Sequence, residues 1–333
     1  MRRLGIGLFF WLAACVQSPS ETEHLQATRS DAPMPIARCM NFGSALEAPA
    51  EGDWGYTVRR EDLARLRTAG FDTVRLPVRW SVYADNAPPY AIDPEMLARV
   101  DEITGWADQL GLNIIVNVHH YDALNTDPET HEPRLEAIWD QLARHYRGAP
   151  ETLIFETLNE PHTEMTTART DALNKRLLAR LRVDHPDRWV ILGTAFWGNL
   201  DALEASEPDY DPRVMLTYHD YSPFEFTHQG TPWTDQPDAP VSWGSAQEVD
   251  AMMAGLDIAA AIQERHKMPV FVGEFGVYNQ VPIGQRALWT RTIRKGFEAR
   301  NLPWCYWDFA GALNAYDTSR EAWIPQIRAA LLD

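Results

Sequence analysis

Lysine, cysteine and basic clusters are all scarce in this chain. Lys175, Lys267 and Lys295 are its only lysines, and Asp plus Glu outnumber Lys plus Arg by 47 to 30, a formal net charge of −17. Neutralising a phosphate backbone needs clustered basic side chains, so nucleic acid is excluded as a partner. No Gly-rich phosphate loop follows the first apolar run, which argues against a doubly wound dinucleotide-binding sheet and supplies no cofactor motif. Internal repeats, low-complexity tracts and appended modules are missing too. The apolar stretch Leu4 to Ala14 is too short to span a bilayer as a mature helix.

That stretch follows Arg2 and Arg3, the charged-then-apolar layout of an export signal. It ends Leu12-Ala13-Ala14-Cys15, which resembles the lipobox of bacterial lipoproteins. The resemblance implies a signal over residues 1–14, lipidation of Cys15, a polar tether over 15–35 and a catalytic domain over 36–333. Val16 after the cysteine suits outer-membrane sorting; an ordinary cleaved signal, with a periplasmic or secreted product, is the alternative. Membrane contact is expected only through that anchor, and the protein is expected to be a monomer. Cys39 and Cys305 remain. They lie in the first and last apolar runs, where a disulfide is conceivable in an oxidising compartment. Adjacent parallel strands rarely offer the required Cβ geometry, so two buried free thiols are expected.

Eight short apolar runs recur: 36–42, 73–77, 113–119, 152–159, 189–194, 214–219, 269–274 and 304–308. Helical stretches lie between most of them. Leu63 and Leu66 before Gly70 form one stripe. Leu97, Val100, Ile103, Trp106 and Leu110 before Gly111 form another, and Leu135, Ile138, Trp139, Leu142 and Tyr146 before Gly148 a third. Eightfold strand-helix alternation predicts a single-domain (β/α)8 barrel, an α/β fold. From Tyr221 to about Val249 the chain is rich in Pro, Gly, Asp and Trp without a period, predicting a long loop over the barrel mouth.

The C-terminal ends of these runs carry the chemistry. Asn159-Glu160 closes the fourth and Glu274 the seventh; Arg75, His119-His120, His219 with Tyr221, and Trp307 mark four others. In a parallel barrel such ends converge on one mouth. Two facing carboxylates are what glycosidic bond cleavage needs, about 5–5.5 Å apart if one attacks directly.

These marks resemble glycoside hydrolase family 5, the cellulase family, from Arg38 onward. The resemblance rests on 45-Ala-Leu-Glu-Ala-Pro-49, 74-Val-Arg-Leu-Pro-77, 117-Asn-Val-His-His-Tyr-121, 158-Leu-Asn-Glu-Pro-161, 226-Phe-Thr-His-Gln-Gly-230 and 273-Gly-Glu-Phe-Gly-276. It implies a retaining endo-β-1,4-glucanase acting on polysaccharide or oligosaccharide without a cofactor. Glu160 would be the acid/base, Glu274 the nucleophile and Asn159 the ligand of the sugar 2-hydroxyl. Arg75 would sit beside the nucleophile, and His219 and Tyr221 would contact the two glutamates. His119, His120 and Glu47 would bind substrate, with Trp307 under the sugar at the cleavage point. Relatives carry Asn at the position of Ser44 and often Glu at that of Asp308, departures that bear on subsite preference.

His119 and His120 are consecutive on a strand and should diverge, so a zinc site with Glu160 and His219 lacks a ligand run, and no metal is expected. Trp80, Trp197 and Trp243 could be core or subsite, whereas Trp233, inside the long loop, should stack a sugar. A non-catalytic glycan-binding lipoprotein is disfavoured by the intact Glu160, Glu274, Asn159 and Arg75. A β-mannanase of the same family is the alternative activity.

Overall fold

A computed structural model describes residues 34–209, 211–236 and 240–333. The expected signal, lipidated Cys15 and all but the last two tether residues lie outside the described residues. Eight parallel strands close a barrel in chain order: β1 Arg38–Asn41, β2 Thr73–Leu76, β3 Asn113–Asn117, β4 Leu153–Glu156, β5 Val190–Leu192, β6 Val214–His219, β7 Val270–Glu274 and β8 Trp304–Tyr306. Each strand falls inside one of the eight apolar runs. The principal helices are α1 Arg60–Ala69, α2 Pro94–Gln109, α3 Pro128–His145, α4 Thr167–Asp184, α5 Leu200–Ala205, α6 Ala246–His266, α7 Ile283–Ala299 and α8 Pro325–Leu332. This is the (β/α)8 architecture. A small antiparallel pair, β9 Tyr316–Asp317 with β10 Ala322–Trp323, follows β8 and was not expected.

Local chemistry sets the helix ends. Gly70 stops α1 in the left-handed conformation at φ 102°, and α1 turns Leu63 and Leu66 inward. Asp93 and Asp127 cap α2 and α3, each followed by Pro at the first helical position. In α6, Ser245 and Glu248 cap each other reciprocally, so that helix starts at Ala246 and the long loop is shorter than its composition suggested. A helical turn at Phe224–Thr227 interrupts the same loop.

Inside the barrel, Ile36, Cys39, Ile115, Ile154, Trp189, Ile191, Met215, Phe271 and Cys305 pack into an apolar layer. One pleat step further along the strands, at i+2, stand Asn41, Asn117 and Glu156, with Arg75 two residues beyond Thr73. The period of two thus converts an apolar floor into a buried polar layer facing the mouth.

Cys39 and Cys305 are disulfide-bonded, not free. They stand directly opposite each other across the β1–β8 seam, with Cα atoms 4.1 Å apart. Both belong to the inner layer, and the tight curvature of an eight-stranded barrel makes inward Cβ atoms on neighbouring strands converge. The expectation of free thiols treated the sheet as flat.

Candidate active site

Arg75 organises the polar layer. It is fully buried, and all five of its N–H groups are engaged. Nε and Nη2 donate to the two Glu156 oxygens at 2.6 Å each, Nη1 donates to Asn41 Oδ1 and to Glu274 Oε1 at 2.8 Å each, and Nη2 also donates to Asn159 Oδ1. Asn41 in turn donates to the Gly273 carbonyl at 3.0 Å. Sequence reasoning missed Glu156 and Asn41. An ionisable residue inside the run 152–159, four positions before Glu160, was the available signal, because such a group must be paired.

The two glutamates face each other above this layer. An oxygen of Glu160, an oxygen of Glu274 and a ring nitrogen of His219 all lie within 4.8 Å of one another. His219 Nδ1 is 2.7 Å from Glu160 Oε1 and 3.7 Å from Glu274 Oε2. The Tyr221 hydroxyl donates to Glu274 Oε2 at 2.9 Å. A register shift between Tyr218 and His219 pairs His219 with Glu274 across the sheet. Gly273 is needed there: a Cβ would come within 2.7 Å of Thr217 Oγ1 and 2.9 Å of His219 Nε2. At Gly276 a Cβ would meet the Trp307 carbonyl oxygen at 2.1 Å. Both glycines around Glu274 are thus demanded by close approach.

Exposure separates the two carboxyls: the Glu160 side chain is 27% exposed and that of Glu274 6%. Burial raises Glu274 above the ordinary carboxylate range, against the pull of His219 and Arg75. Burial pushes Glu160 up as well, but the hydrogen bond and charge of His219 outweigh it and leave Glu160 lowered. Burial works against the His219 imidazolium, yet Glu274 and Glu160 hold its proton and raise it. One proton is therefore held along the 2.7 Å His219–Glu160 hydrogen bond, and Glu160 is the member that opens on the cleft.

His119 and His120 do not diverge. β3 ends at Asn117, so both have left the pleat, and their ring centroids are 4.6 Å apart. His119 stacks on Trp307 at 5.4 Å with the planes 3° apart. Burial, then the charges of His120 and Arg75, hold its ring well below the ordinary imidazole range, so it is neutral. Glu47 is placed beneath the cleft surface: it is 1% exposed and accepts the N–H groups of Ser44 and Ala45. Burial pushes it up to about 8 against those hydrogen bonds. The Glu47 carboxyl therefore braces the turn at Ser44 and Ala45.

The tryptophans divide cleanly. Trp80 and Trp243 are core, 0% and 4% exposed, whereas Trp197 and Trp233 are 55% and 54% exposed. Both exposed rings line a cavity of about 540 Å³ with Glu160, Phe224 and His228. Trp233 meets the Tyr278 ring edge-on at 5.4 Å. Trp197 stacks on His162 at 4.4 Å, and His162 Nδ1 is 2.7 Å from the Glu160 carbonyl. Phe196 and Trp197 both take left-handed backbone, at φ 51° and 58°, a conformation costing bulky residues about 1–3 kcal/mol each and typical of functional sites. A metal could be imagined on Glu160, His219 and Glu274. The 2.7 Å His219–Glu160 contact is a hydrogen bond, however, closer than the ~3.3 Å that two tetrahedral zinc ligands keep.

A barrel whose fourth and seventh strands deliver two glutamates onto one buried arginine is a specific arrangement. The family model for cellulase (glycosyl hydrolase family 5) matches residues 39–312. The chain belongs to glycosyl hydrolase family 5. Among family members it is similar to endoglucanase H of Acetivibrio thermocellus, 32% identical over 268 residues that cover 80% of this chain and 29% of that protein. It thus spans under a third of that relative. It is also similar to Cel5A of Thermotoga maritima, solved with cellobiose: TM-score 0.88, 36% identity, covering 92% of this chain and 99% of that one. The same Cel5A has been solved with mannotriose, at the same TM-score, identity and coverage.

Proposed function

We propose that this family 5 chain is a retaining endo-β-1,4-glucanase. The observation that carries the reading is the Glu160–His219–Glu274 cluster, whose ligand atoms lie within 4.8 Å of one another over Arg75. That short spacing fits direct attack, whereas inversion needs carboxyls roughly 6.5–9.5 Å apart. Glu274, oriented by Arg75 and Tyr221, attacks the anomeric carbon as Glu160 protonates the departing glycosidic oxygen. The glycosyl–Glu274 ester is then cleaved by a water that Glu160 deprotonates, which restores both groups. Asn159 has its carbonyl oxygen tied to Arg75 and its amide nitrogen 3.5 Å from His119 Nε2, so one N–H of that amide is left to donate to the sugar 2-hydroxyl. Trp307, held flat against His119, offers a face to the pyranose ring.

The test is chemical rescue. Glu274→Ala should lose hydrolysis and regain turnover with azide, giving a glycosyl azide of inverted anomeric configuration. Glu160→Ala should keep its first step on substrates with activated leaving groups. If the two variants respond alike in both assays, the assignment is wrong. A β-mannanase activity is the second reading, favoured by the mannotriose complex of the similar Cel5A. Initial rates on barley β-glucan, glucomannan and galactomannan, measured in parallel, decide between them. We further propose export, supported by the Cys39–Cys305 disulfide, since structural disulfides persist in oxidising compartments.

A further inference from the structure

The segment 49–58 joins β1 to α1 along the mouth of the barrel and is unusually well anchored for a connection. The Glu51 carboxylate accepts Arg99 Nε and Nη2 at 2.9 Å each and the Val58 N–H at 2.9 Å. Arg99 Nη2 also donates to the Val58 carbonyl at 2.6 Å, and the Tyr83 hydroxyl donates to that of Pro49 at 3.0 Å. The Asp53 carboxylate accepts the Ala50 N–H at 3.1 Å, while the Asp53 N–H donates to the Ala50 carbonyl at 3.0 Å. At the apex of this braced loop, between Gly52 and Gly55 at φ 95° and 85°, stands Trp54. It is 48% exposed, in a protein that buries Trp80, Trp139, Trp289 and Trp304 completely.

A rigid loop that holds a large aromatic ring in solvent calls for an occupant, and the ring's neighbours indicate which. Trp54 meets His120 edge-on at 6.1 Å, His120 meets His119 at 4.6 Å, and His119 lies flat on Trp307 at 5.4 Å. An unbroken series of rings therefore runs out to Trp54 from Trp307, whose backbone N–H donates to the carbonyl of Phe275, the residue after Glu274. Trp197 and Trp233 are not part of it; they line the cavity beside Glu160. We infer that Trp54 is a stacking platform for a distal sugar unit of the bound chain, reached from Trp307 by way of His119 and His120 and separate from the Trp197–Trp233 cavity. This rests on the reading of the substrate as a β-linked pyranose chain whose reacting unit lies over Trp307. A platform remote from the cleaved bond contributes affinity and register while leaving the chemical step alone.

The test compares wild type, Trp54→Ala and Trp54→Phe on cellotriose through cellohexaose and the matching mannan series, with cleavage positions read from products formed in ¹⁸O-water. Trp54→Ala should raise KM for cellohexaose roughly five- to tenfold, as loss of one aromatic contact implies, with kcat held and the Tm unchanged. The effect should shrink towards cellotriose, the preferred bond should shift, and Trp54→Phe should recover part of the affinity. A KM unchanged at every length overturns the platform. So does a loss equal at every length or accompanied by a fall in Tm, which marks Trp54 as structural. Wild type cleaving neither series would instead sink the underlying functional reading, and the platform with it.

Discussion

The barrel seam offers the most quantitative test. Cys39 and Cys305 close a covalent loop with a sequence separation of 266 residues. Chain-entropy arithmetic for a loop of that length gives roughly 5–6 kcal/mol of destabilisation of the unfolded state, an upper figure because real unfolded chains retain structure. A folded unit of about 300 residues has an unfolding entropy of roughly 0.6 kcal/mol/K, so losing the crosslink should lower the Tm by about 8–9 °C. Either Cys→Ala substitution removes the whole crosslink. Cys39→Ala, Cys305→Ala and the double variant should therefore melt within about 2 °C of one another, since the double adds only a second small cavity to the layer containing Ile115, Ile154 and Phe271. Calorimetry at one fixed scan rate reads the shifts, and alkylation of the unreduced, unfolded chain counts thiols. Two small, additive losses together with alkylation at both positions would show that the cysteines are free, and the argument from barrel curvature would fail.

Other consequences concern chemistry, pH and place. Tyr221→Phe removes a hydroxyl donor from Glu274 and should lower kcat about 10- to 100-fold with little change in KM, the scale of one hydrogen bond to a charged group; pre-steady-state kinetics on an aryl cellobioside check it. Burial pushes Asp308 up to about 7 from its ordinary 3.8, so the folded state holds a proton that the unfolded state releases. Its stabilising contribution is complete below about pH 4 and is lost as pH rises through 7, roughly 4 kcal/mol in all. Asp308→Asn should therefore gain on wild type in Tm between pH 5 and pH 8, and a constant difference would contradict the raised carboxyl. Cys15→Ala should move the protein from the membrane to the soluble fraction at unchanged specific activity, and continued membrane retention would defeat the lipobox reading.

Periodicity carried the architecture because a parallel barrel strand is buried on both sides and reads as an unbroken apolar run, while each intervening helix shows a stripe. Element ends were less legible. The Ser245–Glu248 capping box was present in the chain but lay inside a stretch whose Pro and Gly content masked it. Candidate site residues at strand ends, such as Glu160, His219 and Glu274, are visible in the sequence because a polar residue breaks an apolar run there. Glu156 and Asn41 were not singled out, because a buried residue that bonds only to other protein groups has no local pattern; its partner Arg75 is 81 or 34 positions away. Trp54 was overlooked for a different reason: a tryptophan between glycines says nothing about exposure until the Glu51–Arg99 brace is seen.

The long-range bonds also explain an electrostatic result that Arg75 alone would contradict. A guanidinium 2.8 Å from a carboxylate ordinarily depresses it, yet Glu274 stands raised. Arg75 gives Glu156 two bonds of 2.6 Å and Glu274 only one of 2.8 Å. Burial is the largest influence on Glu274, and with the nearby Glu160 charge it outweighs the pull of His219 and Arg75. What Arg75 offers Glu274 is chiefly orientation: a fixed donor on Oε1, with Tyr221 fixing Oε2. If Glu274 is the nucleophile, as proposed, it is aimed this way without being deeply stabilised as an anion, and deep stabilisation would oppose attack by lowering the ground state. On the proposed mechanism, Glu156 lies beneath the site as the main partner of Arg75 and leaves that guanidinium a single 2.8 Å bond with which to aim Glu274.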